Sequence, residues 1–191
     1  MVAIQEFVCV QAHSNILIVY FKRIHPMYPF LDRQSFEETA FSTNLAQTLE
    51  TTPAFSALYH AVLALGCQYH DGGSFDPGKG KAWKFFQMSL GLMADILVPR
   101  ESLLNLQALT AMSIFAMNTC CLQIDEILIM EAARMAQALR YHRAICSGEQ
   151  QVWCLRTFWV IYGMEKQLAF QNRENSVSLR LSRKEPALTL R

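Results

Sequence analysis

The chain has 191 residues, of which 52% are hydrophobic and 17% are charged, and its formal net charge is +1. This hydrophobic fraction excludes an intrinsically disordered chain, and the length suits one globular domain or a tightly fused pair. The near-neutral charge argues against a dedicated DNA-binding domain, which would concentrate lysine and arginine on one face. The low charged fraction indicates that much of the surface that the unfolded chain exposes is buried in a core or in a partner interface.

Helical periodicity dominates the first half of the chain. Residues 4–23 are predicted to be helical, and the HPMYPF segment that follows is predicted to be a turn fixed by Pro26 and Pro29. A second helix is predicted over residues 53–69, with Thr52 as its N-cap. A glycine-rich turn then leads to a third helix that ends before Pro99. Its predicted apolar stripe is Trp83, Phe86, Leu90, Met93 and Leu97.

The second half keeps the same period around one uncharged stretch. Residues 102–124 contain dispersed polar side chains such as Asn105 and Gln107, which predicts a buried helix and not a membrane span. The next helix begins at Asp125 and Glu126 and forms a hairpin with it, and its predicted apolar stripe is Leu128, Ala132, Met135 and Leu139.

The last predicted helix covers residues 149–170, with an apolar stripe formed by Val152, Leu155, Phe158, Trp159 and Tyr162. The sequence has no strand-like alternation longer than a few residues, so the predicted fold class is all-α, an array of packed antiparallel helical hairpins without a sheet. The predicted domain boundaries are 1–172 for the helical domain and 173–191 for a basic, disordered tail.

The spacing of the cysteines excludes zinc sites of the local type. The six cysteines include no Cys-x-x-Cys pair, so neither a zinc ribbon nor a binuclear zinc cluster is expected. The adjacent pair Cys120 and Cys121 is too close for two tetrahedral ligands and is expected to be buried. Polar side chains interrupt the apolar run of residues 1–20, unlike in a signal peptide. We therefore expect buried thiols in a reducing intracellular compartment.

Several features that resemble functional sites have simpler interpretations. Residues 73–80, GSFDPGKG, match part of a phosphate-binding loop, but Gly80 stands where a magnesium-binding Ser or Thr is required, and a helix precedes them. His60, His70 and His142 lack the spacing of a metal site, and His142 is expected to cap a helix. Because no nucleophile motif such as G-x-S-x-G occurs, we expect no enzyme activity. Six aromatic side chains are candidates either to line a ligand cavity or, more simply, to fill the core: Trp83, Phe85, Phe86, Phe158, Trp159 and Tyr162.

Five stretches together resemble the regulatory, or middle homology, region of fungal-specific transcription factors, a domain also named after the xylanolytic activator. The His-Pro followed by Tyr-Pro-Phe, the Arg-x-Phe-Trp and their order along the chain are the specific parts of this resemblance. It extends over residues 20–171. The resembling stretches are YFKRIHPMYPFLDRQSFE, ALYHAVLALGCQYH, SLLNLQALTAMSIFAMNT, EAARMAQALRYHRA and RTFWVIYGMEKQLAFQ.

The resemblance implies an all-helical regulatory module of a nuclear transcription regulator. Members of the family usually bind DNA through a six-cysteine binuclear zinc cluster located upstream, and the cysteines here match that cluster in number only. We therefore expect no cofactor in this chain, and DNA contact only through a separate domain. The expected partners are protein coregulators or a small effector, with no membrane contact, and the expected location is the nucleus.

The family-motif positions are expected to be structural: His25, Pro26, Arg156, Phe158, Trp159 and Tyr162. Arg156 is predicted to anchor a carboxylate or a helix C-terminus, or else to be an exposed helix residue. The basic end of the chain, where relatives continue with further helices, suggests a truncated gene product. Two alternatives remain open, a stand-alone helical protein-interaction scaffold and, with less support, a small enzyme that uses an aromatic cavity.

Overall fold

The computed structural model describes residues 2–70, 73–98, 102–119, 123–141 and 150–172, with side chains from His13 onward. These residues form helices and no strand, which confirms the all-α fold for this part of the chain. The predicted tail and the positions of Cys120, Cys121 and His142 lie outside the described residues. The helices are α1 Val2–Arg23, α2 Arg33–Ala40, α3 Leu45–Thr51, α4 Pro53–Gln68, α5 Gly80–Gly91, α6 Met93–Leu97, α7 Leu103–Thr119, α8 Ile124–Ala138 and α9 Gln150–Asn172.

Helices α4 and α7 form the centre of the fold. Thr52 and Pro53 begin α4 as predicted, and α4 packs against α1, α5 and α7. In α7 the side chains from Asn105 to Ala116 are all buried, and Phe115 stacks on Phe86 of α5 with ring centroids 4.3 Å apart. Consecutive helices α4 and α5, α7 and α8, and α8 and α9 also pack together, in agreement with the predicted array of hairpins.

Two predicted helices agree closely with the structure. Helix α1 ends at Arg23, as predicted, and α8 buries the predicted positions Leu128, Ala132 and Met135. On the other side of α8, Arg134 Nε lies 2.8 Å from Glu131 Oε2. No helix of the described residues is both long and apolar enough to cross a bilayer.

The prediction of one continuous third helix is wrong. The helix breaks at Leu92, whose φ of -95° and ψ of 6° separate α5 from α6. The break allows α6 to bury Ile96 completely, and the Ile96 carbonyl accepts a hydrogen bond from Asn105 Nδ2 at 2.7 Å. The sequence prediction also omitted α2 and α3, which are short helices of 8 and 7 residues. Asp32 caps α2 by accepting the backbone N–H of Gln34 at 3.1 Å.

The predicted apolar stripe of the last helix is also wrong, because α9 turns a different face to the core. Val152 and Trp159 are 48% and 62% exposed. A tertiary contact that sequence spacing does not reveal helps to fix this orientation. The Thr157 hydroxyl lies 2.7 Å from the Trp153 carbonyl oxygen. It also lies 3.3 Å from the carbonyl oxygen of Phe30, which is 127 residues away in the sequence. The buried residues of α9 are Cys154, Thr157, Ile161, Met164 and Glu165.

Candidate functional site

The turn after α1 is held by its own motif residues. His25 Nε2 lies 2.9 Å from the Leu31 carbonyl oxygen, which closes the loop across six residues. The same imidazole packs against the ring of Phe21, with centroids 5.4 Å apart. Pro26 is exposed on the outer side of the turn. In this geometry His25 shapes the turn.

The carbonyl of Phe30 joins this turn to two distant helices. It accepts Gln107 Nε2 of α7 at 2.9 Å and lies 3.3 Å from the Thr157 hydroxyl of α9. The Phe30 side chain is fully buried. The turn is therefore fastened to the core at a fixed position beside α9.

The outer side of α9 carries an aromatic cluster, and cationic side chains pack on aromatic rings of the same helix. Trp159 contacts Phe158 and Tyr162 edge-on, with ring centroids 5.5 Å and 5.4 Å apart. Arg156 is exposed, and its guanidinium carbon lies 4.9 Å from the centroid of the Trp153 ring, so it forms a cation–π contact. Phe158 packs in part against the core, but Trp159 does not fill it. The core-filling interpretation of Trp159 is therefore wrong.

A groove runs between the turn and α9, and we call it the α9 groove. It has a volume of about 470 Å³. The residues that could have revealed it in the sequence are Met27, which is 70% exposed, and Gly163, where an added Cβ would meet nothing within 4 Å. The described residues that line the groove are Met27, Tyr28, Pro29, Arg156, Trp159, Val160, Gly163, Met164 and Gln167.

A second cavity of about 750 Å³ lies between α2, α4, α7 and α9, and we call it the Gln107 cleft. None of its described lining residues is shared with the α9 groove. Gln107 was noted in the sequence as a polar residue of an apolar helix, but nothing local linked it to a cavity. The described residues that line the cleft include Asp32, Phe36, Thr52, Phe55, Leu58, Leu104, Gln107 and Trp153.

The aromatic residues of α5 belong to the core, as their spacing predicted. Phe86 is completely buried, and Trp83 and Phe85 pack against the core from its edge. Phe85 also contacts the imidazole of His13 edge-on, with ring centroids 5.5 Å apart.

Two imidazoles lie at the packing of α1 against α4. His13 Nδ1 is 3.0 Å from the Tyr59 hydroxyl, and His60 Nδ1 is 2.7 Å from the Ser56 carbonyl oxygen. Burial lowers the pKa of His13, and the nearby His60 and Lys81 lower it further. Burial also lowers the pKa of His60, against the hydrogen bond to Ser56, which raises it. Both shifts favour the neutral imidazole.

Candidate ligands for a metal do not cluster in the described residues. These residues contain no group of three or more His, Cys, Asp or Glu side chains that could hold an ion. Cys67 and Cys154 are buried, and burial raises the pKa of the Cys67 thiol to about 11. Such a thiol is protonated at neutral pH and is a poor nucleophile. The glycine-rich segment 73–80 is a largely exposed loop before α5 and does not follow a strand.

Comparison with known proteins gives one clear result. No curated protein and no solved structure matches the chain. The sequence model of one family, described as the fungal specific transcription factor domain, matches residues 17–185, which include the second part of α1 and all of α2 to α9. This is a family of transcription factors and not of enzymes, and it implies a role in transcription regulation and suggests the nucleus. The chain belongs to the family of fungal specific transcription factor domains.

Proposed function

We propose that the chain is the regulatory module of a nuclear transcription factor and that it binds a protein coregulator in the α9 groove. The observation that carries this proposal is the 62% exposure of Trp159 at the groove. Exposed apolar patches beside a groove mark interaction sites, and tryptophan and arginine are enriched among the residues that dominate binding energy. Contact with DNA then belongs to a separate domain.

The shape of the groove suits a protruding apolar side chain. Met27 forms one wall, and Trp159 of α9 forms the other. Between them Gly163 has no side chain, and a Cβ at this position would meet nothing within 4 Å. A large residue of a partner helix can therefore approach the backbone of α9 closely, in the manner of helices that bind in grooves.

The charges around the groove define the partner further. Arg156 is the charged side chain among the described residues that line it, and no carboxylate lines it in that part of the chain. Lys166 lies further along α9, with its ammonium nitrogen 4.7 Å from the centroid of the Tyr162 ring. We therefore infer an amphipathic partner helix with aspartate or glutamate beside its apolar face.

Two synthetic peptides test this inference directly. Both carry the same leucine and phenylalanine positions, and one has glutamate on its polar face where the other has lysine. Fluorescence polarisation with the full chain should show about tenfold tighter binding of the acidic peptide. Trp159→Ala should weaken that binding by about 2 kcal/mol. Met88→Ala is the matched control, because Met88 is an exposed hydrophobic residue of α5, 52% exposed and outside the groove. Equal binding of both peptides, or equal loss in both variants, would contradict the proposal.

The regulatory role needs a separate test. We expect the full chain, fused to an unrelated DNA-binding domain in a fungal reporter strain, to change reporter expression. Trp159→Ala should abolish the change, whereas Met88→Ala should preserve it. A fusion that is expressed in the nucleus and leaves the reporter unchanged would contradict a role in transcription and favour the scaffold alternative.

A further inference from the structure

We propose that the Gln107 cleft binds an uncharged, mainly apolar small molecule that carries a hydroxyl or N–H donor. The site is distinct from the α9 groove, and its chemistry does not depend on the function proposed above. Four properties of the cleft lead to this ligand class: its volume, its apolar floor, an unpaired acceptor and its charge.

The volume and floor of the cleft suit a ring-containing molecule. The cavity of about 750 Å³ lies within the range of about 300–1,000 Å³ that is typical of small-molecule sites. Its floor is formed by buried side chains of α2 and α4, namely Phe36, Phe55 and Leu58. The rings of Phe36 and Phe55 have centroids 5.9 Å apart, and Trp153 of α9 lies at the opposite side of the cleft. A ligand with an aromatic or alicyclic framework would bury its apolar surface on this floor.

Gln107 supplies an acceptor that the protein leaves unpaired. Its side chain is only 8% exposed and lines the cleft. Nε2 donates to the Phe30 carbonyl oxygen at 2.9 Å, and because that partner is an acceptor, it fixes which end of the amide is the oxygen. Oε1 has no hydrogen-bond partner within the described residues. Oε1 is not among the buried unpaired atoms of the described residues, so it is accessible, and a ligand in the cleft can donate a hydrogen bond to it.

The other polar side chains that line the described part of the cleft are hydroxyls, one further amide and one carboxylate. Thr52 lines the cleft at the start of α4, and its hydroxyl makes no capping hydrogen bond to that helix. Among the described lining residues the charged group is Asp32, whose Oδ1 accepts the Gln34 N–H at 3.1 Å. Because no cation lines this part of the cleft and one carboxylate does, an anionic ligand is disfavoured.

Three related probes separate these contributions in the unmodified protein. N-phenylnaphthylamine is neutral, aromatic and carries one N–H donor. Anilinonaphthalene sulfonate has a similar framework with a negative charge, and N-methyl-N-phenylnaphthylamine lacks the donor. Fluorescence titration of the full chain should show saturable binding of N-phenylnaphthylamine. The N-methyl compound should bind about tenfold more weakly, which corresponds to the loss of one well-placed polar contact. The sulfonate should also bind about tenfold more weakly, because its negative charge enters a cleft lined by a carboxylate.

Substitutions then locate the bound probe. Leu104→Trp enlarges a half-buried side chain that lines the cleft and should weaken binding of N-phenylnaphthylamine by about tenfold. Met88→Trp adds the same indole on the exposed surface of α5 and should leave the affinity unchanged. Trp159→Ala should also leave it unchanged, because Trp159 lies in the other groove.

Three results would overturn the proposal: no saturable binding of N-phenylnaphthylamine, equal affinity for the three probes, or an affinity that Leu104→Trp does not reduce. Loss of probe binding in Trp159→Ala would assign the probe to the α9 groove and would also overturn it. Failure of the peptide and reporter tests would leave the cleft proposal intact, because they measure a different surface. If Leu104→Trp does not fold, the comparison of the three probes on the unmodified chain still decides whether the proposal holds.

Discussion

Helices α7 and α9 are both long, but they contribute to the molecule in opposite ways. In α7 every side chain from Asn105 to Ala116 is buried, and its buried hydroxyls donate to carbonyls of the same helix. Thr110 and Ser113, for example, donate to the carbonyls of Leu106 and Leu109 at 2.7 Å and 2.8 Å. In α9 a narrow stripe is buried, and it includes Thr157 and Glu165, whereas Trp159 is exposed. Aromatic side chains therefore stabilise the fold where they are buried, as in α7, and are available for binding where they are exposed, as in α9.

The largest expected effect tests this contrast with two aromatic deletions. Phe115→Ala removes a ring that is 1% exposed and stacked on Phe86, so the free energy of unfolding should fall by about 3–5 kcal/mol. Trp159→Ala removes a larger but exposed ring, so the fall should stay below about 1 kcal/mol. Urea denaturation followed by circular dichroism measures both. Similar losses in the two variants would mean that α9 is covered in solution.

A pair of glycines sharpens the same contrast at the backbone. A Cβ at Gly66 of α4 would overlap the carbonyl oxygen of Ile16 in α1 and lie 2.6 Å from its Cγ2. Gly66→Ala should therefore cost about 1–3 kcal/mol. The matched change in α9, Gly163→Ala, enters open space within a helix and should stabilise by about 0.5–1 kcal/mol.

Thermal unfolding of the two glycine variants, compared with the unmodified chain, measures both signs in one experiment. A stable Gly66→Ala variant would show that α1 does not approach α4 as closely as described. A destabilised Gly163→Ala variant would show that the α9 groove is already occupied, for example by another copy of the chain.

The smallest expected effect concerns pH. The lowered pKa values of His13 and His60 mean that the unfolded chain binds more protons than the folded chain below about pH 6.5. The stability contributed by the neutral rings is therefore complete above that pH and is lost as the pH falls through the folded-state values. The groups that face His13 are Tyr59 and His60 from α4 and Lys81 and Phe85 from α5.

Urea denaturation at about pH 7.5 and about pH 5.5 measures this loss. The double variant His13→Gln with His60→Gln should show a smaller difference between the two pH values than the unmodified chain. Met88→Gln, a change of the same kind at an exposed position of α5, should keep the original difference. An unchanged difference in the double variant would show that these imidazoles do not control the pH dependence.

The helices that the sequence predicted best are those whose signals are local. Pro53 begins α4 as expected, and the uncharged stretch forms α7, in which hydroxyls such as that of Thr110 donate to carbonyls of the same helix. The break at Leu92 was missed, although Gly91 precedes it, because the apolar spacing continues through the break. The bond from Asn105 to the Ile96 carbonyl helps to hold α6 in its own direction, and spacing alone does not reveal such a contact.

The candidate sites were less predictable, because they too depend on contacts between residues that are far apart in the sequence. The motif residues Arg156 and Trp159 were identified in the sequence, but the spacing assigned Trp159 to a buried stripe. The orientation of α9 depends on Thr157, whose partner carbonyl is 127 residues away in the chain. Gln107 could be identified in the sequence as a polar residue of α7. That its side-chain oxygen remains an available acceptor follows only from the structure, in which its amide nitrogen donates to the Phe30 carbonyl oxygen.

The carbonyl oxygen of Phe30 is a point at which two distant parts of the chain meet. Gln107 and Thr157, which are 77 and 127 residues further along the chain, approach the same oxygen atom. One atom of the early turn therefore lies against both a lining residue of the Gln107 cleft and a buried residue of the helix that carries the α9 groove.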